Sequence, residues 1–340
     1  MFPPSALGDI LGIYKKEFRN HLEGHESIAD ILDFLLQSEG KAIRPQLLLT
    51  FCSLLGCHDE DRFKIAVATE YIHTASLIHD DIIDGAISRR NQETLHQKWG
   101  VKNAILIGDF LYSRAFELIC ESKYSDVLAL FANAANRLSI SEINQLDINQ
   151  TTGMRDLEDQ EVCLNIMKEK TAILFGVVCE AAIVISTVAS TQENNKMASY
   201  RQAAFDYGMN LGMAFQLMDD YLDYSAGSSK WGKRRLNDIS EGKITLPLVY
   251  LYQSSSQADK DHILQVLTKA KSAASNSGIN IEADIDSIDN MMKASSVPQQ
   301  IIAMAKEFGS KAAENIKTFP QTKESESLCS LALTASSRDY

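Results

Sequence analysis

The chain has 340 residues, with 33 basic and 45 acidic side chains and a formal net charge of −12. This acidic balance argues against non-specific binding to nucleic acid or to an anionic membrane surface, although a local cluster of basic residues still permits an anionic substrate. Only 6 prolines and 17 glycines occur, which is below average usage and favours helices over a turn-rich sheet protein.

Apolar periodicity predicts helices along most of the chain, and no segment shows the period of two that is typical of strands. An arm or short helix is expected at Met1–Phe18, and an irregular polar stretch at Gly85–Gly100. From Gln253 onward the pattern weakens. The predicted helices span Ile28–Leu36, Pro45–Gly56, Lys64–Asp84, Asn103–Ile119, Val127–Gln150, Leu157–Thr187, Asn195–Tyr224 and Thr245–Tyr252.

This pattern predicts an all-α protein built as one large helical bundle. No Pro/Gly/Ser-rich linker interrupts it, so we expect a single domain over residues 1–340. Its motif-bearing core would cover about 28–251, and the C-terminal helical part, 252–340, carries no assignable chemistry.

Cysteine usage and hydropathy indicate a cytoplasmic protein without an integral membrane segment. The six cysteines form no CxxC pair, which favours reduced, buried thiols. No signal peptide is evident. The apolar stretch Ala172–Ser190 is nearly long enough to span a bilayer, but Glu180 at its centre favours a buried helix of a soluble bundle.

Three carboxylates, Asp80, Asp81 and Asp84, end a long apolar helix pattern. Residues i, i+3 and i+4 share a helical face, so Asp84 would lie beside both other acids. Gly85 is typical of a helix terminator, which places the acids at the negative end of the helix dipole. Because like charges and the dipole both oppose this arrangement, we expect a cation there, and a divalent metal is the simplest candidate.

The same DDxxD spacing recurs at Asp219, Asp220 and Asp223, again after an apolar run. Mg²⁺ prefers hard oxygen ligands and commonly combines a few carboxylates with substrate phosphates. Two such clusters facing each other across a bundle would hold a phosphate-bearing ligand. The alternative is that they are solvated helix ends or ion-pair partners of nearby arginines. A ferritin-like site needs two Glu-x-x-His pairs, and only Glu70 and His73 have this spacing.

Basic residues concentrate beside these acids, which suggests phosphate recognition bridged by metal. Ordinary surface charge explains each of them singly but explains the set poorly. They are Lys41, Arg44, Arg89, Arg90, Lys230, Lys233, Arg234, Arg235 and Lys243.

Two histidines precede the first cluster. His73 lies about two helical turns before Asp80 on the same face, so it is either a core residue or a phosphate donor. His79 directly precedes Asp80, as in metal-dependent phosphohydrolases of the HD type. The further spaced His and Asp ligands of that class cannot be assembled from this sequence.

Several motifs together resemble those of the trans-isoprenyl diphosphate synthases, or polyprenyl synthetases, and the match covers about Gly40 to Pro247. They are GKAIRP at Gly40–Pro45, HDDIID at His79–Asp84 followed by Arg89-Arg90, EKTA at Glu169–Ala172, FQLMDDYLD at Phe215–Asp223, and GKITLP at Gly242–Pro247. The resemblance implies an isoprenoid synthase fold around a central apolar cavity, and a homodimer. Terpene cyclases share the first motif, but their second carries Asn, Ser and Glu ligands.

The resemblance also implies roles for individual residues. Asp80, Asp84 and Asp219 would be the main Mg²⁺ ligands, with Asp81, Asp220 and Asp223 completing the shell of up to three ions bridged by diphosphate. The allylic diphosphate would be held by Arg89, Lys170, Thr171, Gln216, Lys233 and Lys243, of which Lys170 and Lys233 also assist its departure. Isopentenyl diphosphate would be held by Lys41, Arg44, His73 and Arg90.

Two positions depart from the family pattern. Asn91 and Leu236 stand where the family usually has glycine, after the arginine pair and before Asn237-Asp238. Because the loss of glycine restricts the backbone, loop closure or turnover is expected to differ. All the charged positions survive, so an inactive paralogue is not expected.

The product is expected to grow along the helix that precedes Asp80. Ala75 and Ser76, five and four residues before Asp80, are small and leave the tunnel open, while Phe131 is a candidate floor. We therefore expect an octaprenyl-like member that makes trans-polyprenyl chains longer than farnesyl, for quinone side chains. The alternatives are a farnesyl or geranylgeranyl diphosphate synthase, a non-catalytic subunit of a heteromeric synthase, and a terpene cyclase.

Overall fold

The computed structural model describes residues 12, 16, 20, 28–37, 40–90, 92–151, 157–188, 194–225, 236–275 and 280–336. These residues are almost entirely helical, which confirms the all-α prediction. The helices are α1 Ala29–Gln37, α2 Ile43–Leu54, α3 Asp61–Ile83, α4 Leu95–Trp99, α5 Val101–Cys120, α6 Ser125–Thr151, α7 Gln160–Met167, α8 Ile173–Val188, α9 Asn194–Ser225, α10 Asn237–Ser240, α11 Leu246–Ser254, α12 Gln257–Ser275, α13 Glu282–Ala294, α14 Val297–Ile316 and α15 Lys323–Ala335.

Helix α3 shows why the first acid cluster lies where it does. Its buried face carries Phe63, Ile65, Tyr71, Ile72 and Ile78, and it packs most extensively against α5. The helix ends at Ile83, and Gly85 follows in the left-handed region with φ +62°. The predicted terminator is confirmed, and the three aspartates occupy or directly follow the last turn.

The stretch after α3 is more regular than predicted. Gly85–Gly100 is not irregular throughout, because Ser88–Arg89 (β1) and Gln92–Glu93 (β2) pair antiparallel and α4 follows. Strands of two residues are too short to leave a periodic signal in the sequence. The small hairpin nevertheless fixes the positions of two arginines.

The C-terminal part is helical, in agreement with the all-α prediction. Helices α12 to α15 are regular, although the sequence pattern there is weak. They bury narrow faces that include Ile263, Ile288, Ile301 and Leu328, while Ser, Lys and Asp cover the remaining surface. Such a narrow apolar stripe is diluted in any linear reading of the chain.

Contacts between backbone positions divide the chain into two compact units. One comprises Met1–Ala135, Phe175–Gly208 and Glu314–Leu331, and the other comprises Asn136–Leu174, Met209–Ala313 and Ala332–Tyr340. The first acid cluster belongs to the former, called unit 1 below, and the second to the latter, called unit 2. The single-domain assignment stays a prediction.

The apolar stretch around α8 behaves as a core helix. Gln160–Thr187 is the one helical stretch in the described residues that is long and apolar enough to cross a bilayer, with a mean hydropathy of 1.7, and 78% of its most apolar window is buried inside the protein. Glu180 accepts a hydrogen bond from Arg201 Nε at 2.6 Å. Glu180, whose charge disfavours a membrane-spanning helix, is thus paired with Arg201 within unit 1.

Candidate active site

The first acid cluster is balanced in part by an arginine of the hairpin. Asp81 is buried, and its carboxylate accepts hydrogen bonds from Arg89 Nε at 2.9 and 3.1 Å, with Arg89 Nη2 at 2.8 Å. Burial alone would lower the pKa of Arg89, but the hydrogen bonds and charge of Asp81, together with Asp80 and Asp84, raise it. For Asp81, therefore, the ion-pair alternative weighed from the sequence is the observed arrangement.

Arg90, the residue after Arg89, packs against Gly40. Its backbone lies in the left-handed region at φ +53°, and its guanidinium lies against Gly40, where a Cβ atom would come within 2.6 Å of Nη1 and Nη2. Gly40 is thus required by close approach rather than by its own backbone angle. The contact places Arg90 beside the GKAIRP segment, which carries Lys41 and Arg44.

His73 lies in the field of three arginines. Burial is the main cause that lowers its pKa well below the usual value, and the charges of Arg44, Arg90 and Arg89 lower it further. A neutral imidazole surrounded by guanidinium groups is an electropositive environment that suits an anion. A cavity of about 90 Å³ in unit 1 is lined by His73, Asp81, Arg89 and Arg90 among others.

The second acid cluster has the opposite character. Asp220 is buried, and burial raises its pKa from 3.8 to about 7, with further raising by the charges of Asp219 and Asp223. A hydrogen bond from Gln216 Nε2 at 2.8 Å and the charge of Lys170 act in the other direction without cancelling the rise. A buried carboxylate flanked by two others calls for a cation.

Asp223 is oriented by the backbone of α10. Its two carboxylate oxygens accept the N–H groups of Asn237 at 3.1 Å and Asp238 at 3.2 Å. Leu236, which precedes them, is buried and lies in the left-handed region at φ +53°. The residue that replaces the family's usual glycine thus holds the backbone conformation that glycine favours.

Asp238 is an acid that the sequence reasoning did not include in the cluster. Burial raises its pKa well above the usual value, and the charges of Asp223 and Asp220 raise it further. Lys243 opposes this rise and contacts Glu241 at 2.8 Å. The DDxxD spacing alone gave no signal for Asp238, which joins the others through the fold.

The EKTA motif forms a π-helical turn, Lys168–Ala172, between α7 and α8. Lys170 Nζ contacts Glu142 Oε1 at 2.5 Å and donates to Gln145 Oε1 at 2.7 Å. Thr171 Oγ1 donates to Gln216 Oε1 at 2.7 Å. π-turns inside helices are frequent at functional sites, and here three predicted residues, Lys170, Thr171 and Gln216, are connected to Asp220.

The acids suit a metal that is shared with a substrate. In the described part of the chain, no three His, Cys, Asp or Glu side chains converge to form a complete metal cage. Mg²⁺ does not require one, because it commonly takes one or two carboxylates together with phosphate oxygens and water. Burial and then the charges of Asp219 and Asp223 raise the pKa of Asp220, and a bound divalent ion would favour its ionised form.

One predicted residue, Arg44, contacts an aromatic ring, and several others lie outside the described residues. Arg44 stacks on Phe175, with Cζ 4.3 Å from the ring centroid. Ala42, two residues before Arg44, has a left-handed backbone at φ +45°. The predictions for Lys230, Lys233, Arg234, Arg235, Asn91 and most of Met1–Phe18 fall outside the described residues.

The proposed tunnel residues all belong to unit 1. Ala75 and Phe131 are fully buried, and Ser76 is half-buried with its hydroxyl donating to the His73 carbonyl at 2.8 Å. A second cavity, of about 670 Å³, belongs to unit 2 and is lined by residues of α6, α7 and their neighbours. Neither cavity touches the tunnel residues, whose role stays a prediction.

His79 has a packing role. Its Nε2 lies 3.3 Å from the Ile105 carbonyl, and a Cβ atom on Gly108 would come within 2.1 Å of it. The ring therefore fills the gap that Gly108 leaves between α3 and α5. This contact explains the histidine without the HD-type metal chemistry.

Comparison with known proteins decides the family. The family model described as "Polyprenyl synthetase" matches residues 25–280. The chain belongs to the polyprenyl synthetase family. An octaprenyl diphosphate synthase of Haemophilus influenzae is 33% identical over 90% of this chain and 87% of that protein. A short chain isoprenyl diphosphate synthase of Methanothermobacter thermautotrophicus is 34% identical over 71% of this chain and 74% of that protein.

The fold comparison agrees with this assignment. A polyprenyl synthase of Caulobacter crescentus, solved in complex with calcium and isoprenyl diphosphate, superposes with a TM-score of 0.85 at 29% identity, over 98% of this chain and 96% of that one. The predicted isoprenoid synthase fold and the predicted enzyme class, a prenyl transferase, are confirmed.

Proposed function

We propose that this polyprenyl synthetase is a Mg²⁺-dependent enzyme that adds isopentenyl diphosphate to an allylic diphosphate and makes trans-polyprenyl chains longer than farnesyl. The observation that carries the proposal is the second acid cluster. Asp220 is buried with a pKa raised to about 7 beside Asp219 and Asp223. Such a cluster is unfavourable on its own and is balanced by a divalent cation and the substrate it brings.

The residues of each unit suit one part of the chemistry. Mg²⁺ held by the aspartates and by diphosphate oxygens would neutralise charge on the leaving group. In unit 2, Lys170, Gln216 and Lys243 would orient the allylic diphosphate so that its C–O bond breaks, and the family resemblance also assigns Arg89 to this substrate. Lys41, Arg44, His73 and Arg90 would hold isopentenyl diphosphate, whose double bond forms the new C–C bond.

A proton must leave after the new bond forms. His73 is not suited to take it, because burial and then the charges of three arginines lower its pKa well below the usual value. The released diphosphate is the remaining base, and it carries the proton away as it leaves. The described residues are thus placed to bind and orient charge, and proton transfer is assigned to the product.

The long product is supported by the small side chains before Asp80 and by the octaprenyl synthase that matches most of the chain. Ala75 and Ser76 place small side chains five and four residues before Asp80, about a turn from the cluster. Phe131, fully buried on α6, is the proposed floor. A quinone side chain is the proposed use of the product.

We also propose a cytoplasmic homodimer. On α5, Val101, Ile105 and Leu106 are 47%, 42% and 64% exposed, and Ile87 is 71% exposed. Large aliphatic side chains gathered on one helix suit a contact with a second copy. Light scattering should give twice the chain mass, and Ile105→Glu with Leu106→Glu should reduce it to one chain.

The enzyme activity is tested by incubating the protein with farnesyl diphosphate, labelled isopentenyl diphosphate and Mg²⁺. Incorporation into chains longer than geranylgeranyl is expected, with none in the presence of a chelator. Absence of incorporation would instead support a non-catalytic subunit. Products that stop at geranylgeranyl would replace the long-chain assignment, and a cyclic hydrocarbon would indicate a cyclase.

A further inference from the structure

The side chain of Lys170 is held by two residues of α6 that belong to none of the motifs. Its ammonium contacts Glu142 Oε1 at 2.5 Å and Gln145 Oε1 at 2.7 Å. Glu142 and Gln145 are three residues apart and therefore share one face of the helix. The side chains of Lys170 and Glu142 are 25% and 20% exposed, so the pair is partly screened from water.

The neighbours of Lys170 in the π-turn are held as firmly. Glu169 accepts two hydrogen bonds from Arg137 of α6, at 2.5 Å from Nε and 2.6 Å from Nη2. Thr171 donates to Gln216 of α9. Three consecutive side chains are thus anchored, two on α6 and one on α9, and the turn has little freedom to move Lys170 by itself.

A carboxylate beside a lysine that binds diphosphate needs an explanation. Glu142 repels the anionic substrate and partly neutralises the charge that attracts it. Lysine is a point charge on a flexible stem, which loses conformational freedom whenever it is fixed in one direction. A partner that fixes the stem before the substrate arrives removes that loss from the binding step.

We propose that Glu142 is a positioning residue, which directs the Lys170 ammonium towards the allylic diphosphate, with Gln145 as its second support. The inference rests on the proposed function, because it takes Lys170 as a ligand of that diphosphate. Lys170 also lowers the pKa of Asp220. Its direction therefore matters to the charge balance of the second acid cluster as well.

Binding without turnover separates this inference from the overall activity. Isothermal titration calorimetry would measure the Kd of farnesyl diphosphate with Mg²⁺, in the absence of isopentenyl diphosphate. The proteins are the wild type, Glu142→Gln, Lys170→Gln and the double variant. Glu161→Gln is the matched control, since Glu161 is an exposed acid of α7 in the same unit.

Glu142→Gln should raise the Kd by about threefold to tenfold, whereas Glu161→Gln should leave it unchanged. In the Lys170→Gln background, Glu142→Gln should add nothing further, because its effect passes through Lys170. In steady-state assays the KM for the allylic substrate should rise while the KM for isopentenyl diphosphate stays within about twofold. Glu142→Asp provides a second variant if Glu142→Gln has a lower melting temperature.

An equal rise in Kd with and without Lys170 would overturn the proposal, because Glu142 would then act only on the fold. A wild-type Kd in Glu142→Gln or in Lys170→Gln would overturn it as well. A wild type that binds farnesyl diphosphate but elongates nothing would contradict the proposed function alone. The two claims therefore fail separately.

Discussion

The two aspartate clusters have the same spacing but opposite charge balance. In the first, Asp81 is paired with Arg89, and three arginines surround the neighbouring His73. In the second, Asp220 is buried among carboxylates with its pKa raised to about 7, and Asp238 adds a fourth acid. The same DDxxD motif thus lies in two different electrostatic environments. Residues outside the motif determine the difference.

This difference suggests a division of labour. In the first cluster Asp81 already has a cationic partner, and the arginines near His73 would suit an anionic substrate. In the second, Asp220 is buried beside Asp219 and Asp223, an arrangement that a divalent ion would stabilise. Substitutions in each cluster test whether the two clusters differ in this way.

The largest effect is expected from removing a main metal ligand in either cluster. Asp80→Ala and Asp219→Ala should each lower kcat by about 100-fold to 1,000-fold, because each removes charge that holds the metal and the leaving group. Initial rates of isopentenyl incorporation measure this loss. Glu161→Ala is the control, and a loss below about tenfold in either variant would show that its cluster does not bind the metal.

The next effect concerns product length and belongs to the first cluster alone. Ser76→Phe should shorten the product, because the half-buried position before Asp80 would be filled by a ring. Ala75→Phe should do the same but at a cost in stability of about 1–3 kcal/mol, since Ala75 is fully buried. The second cluster differs at this point. Four and five residues before Asp219 the chain has Phe215 and Ala214, so the position that corresponds to Ser76 already holds an aromatic ring. Product chromatograms identical to the wild type would refute the tunnel argument.

Replacing one aspartate by asparagine should change stability with opposite sign in the two clusters. Asp81→Asn breaks the ion pair with Arg89 and should lower the free energy of unfolding by about 1 kcal/mol. Asp220→Asn removes a repelled charge and should raise it by about 1 kcal/mol at pH 8 in the presence of a chelator. Urea unfolding measures both changes.

The pH dependence follows from the raised pKa. Because the folded-state pKa of Asp220 is about 7 and its ordinary value is 3.8, ionisation costs stability as the pH rises through this window. The advantage of Asp220→Asn should therefore be present at pH 8 and be largely lost at pH 4. Equal signs for Asp81→Asn and Asp220→Asn at pH 8 would remove the distinction between the clusters.

The smallest effect is expected at Leu236, next to the second cluster. Leu236→Gly relieves the left-handed conformation, worth about 1–2 kcal/mol, but loses a buried side chain worth about 2–4 kcal/mol. Net destabilisation of about 1–2 kcal/mol is expected. Thermal unfolding tests this, and a more stable variant would show that the strain outweighs the packing.

Much of the fold was predictable, because long apolar helices such as α3 and α9 leave a clear period in the sequence. The motifs also identified the acids of both clusters and the basic residues beside them. The hairpin was not predicted, because two-residue strands leave no periodic signal. The C-terminal part was expected to be helical, but its individual helices were not located, because narrow buried stripes leave a weak signal.

The missing parts of the site share one cause. Glu142, Gln145 and Asp238 reach the motif residues only through the fold, from positions that carry no motif spacing. The left-handed backbone at Leu236 was unexpected because leucine rarely adopts it. The sequence left open whether the aspartates bind metal or pair with nearby arginines. For Asp81, the hairpin places Arg89 within hydrogen-bond distance.

The most direct test of the account is the size of the product that the wild-type protein makes. Reversed-phase chromatography of the dephosphorylated products, after reaction with farnesyl diphosphate, labelled isopentenyl diphosphate and Mg²⁺, resolves each added prenyl unit. The account predicts label in chains longer than geranylgeranyl, abolished by a chelator. Label confined to geranylgeranyl, or no label in any prenyl chain, would contradict it.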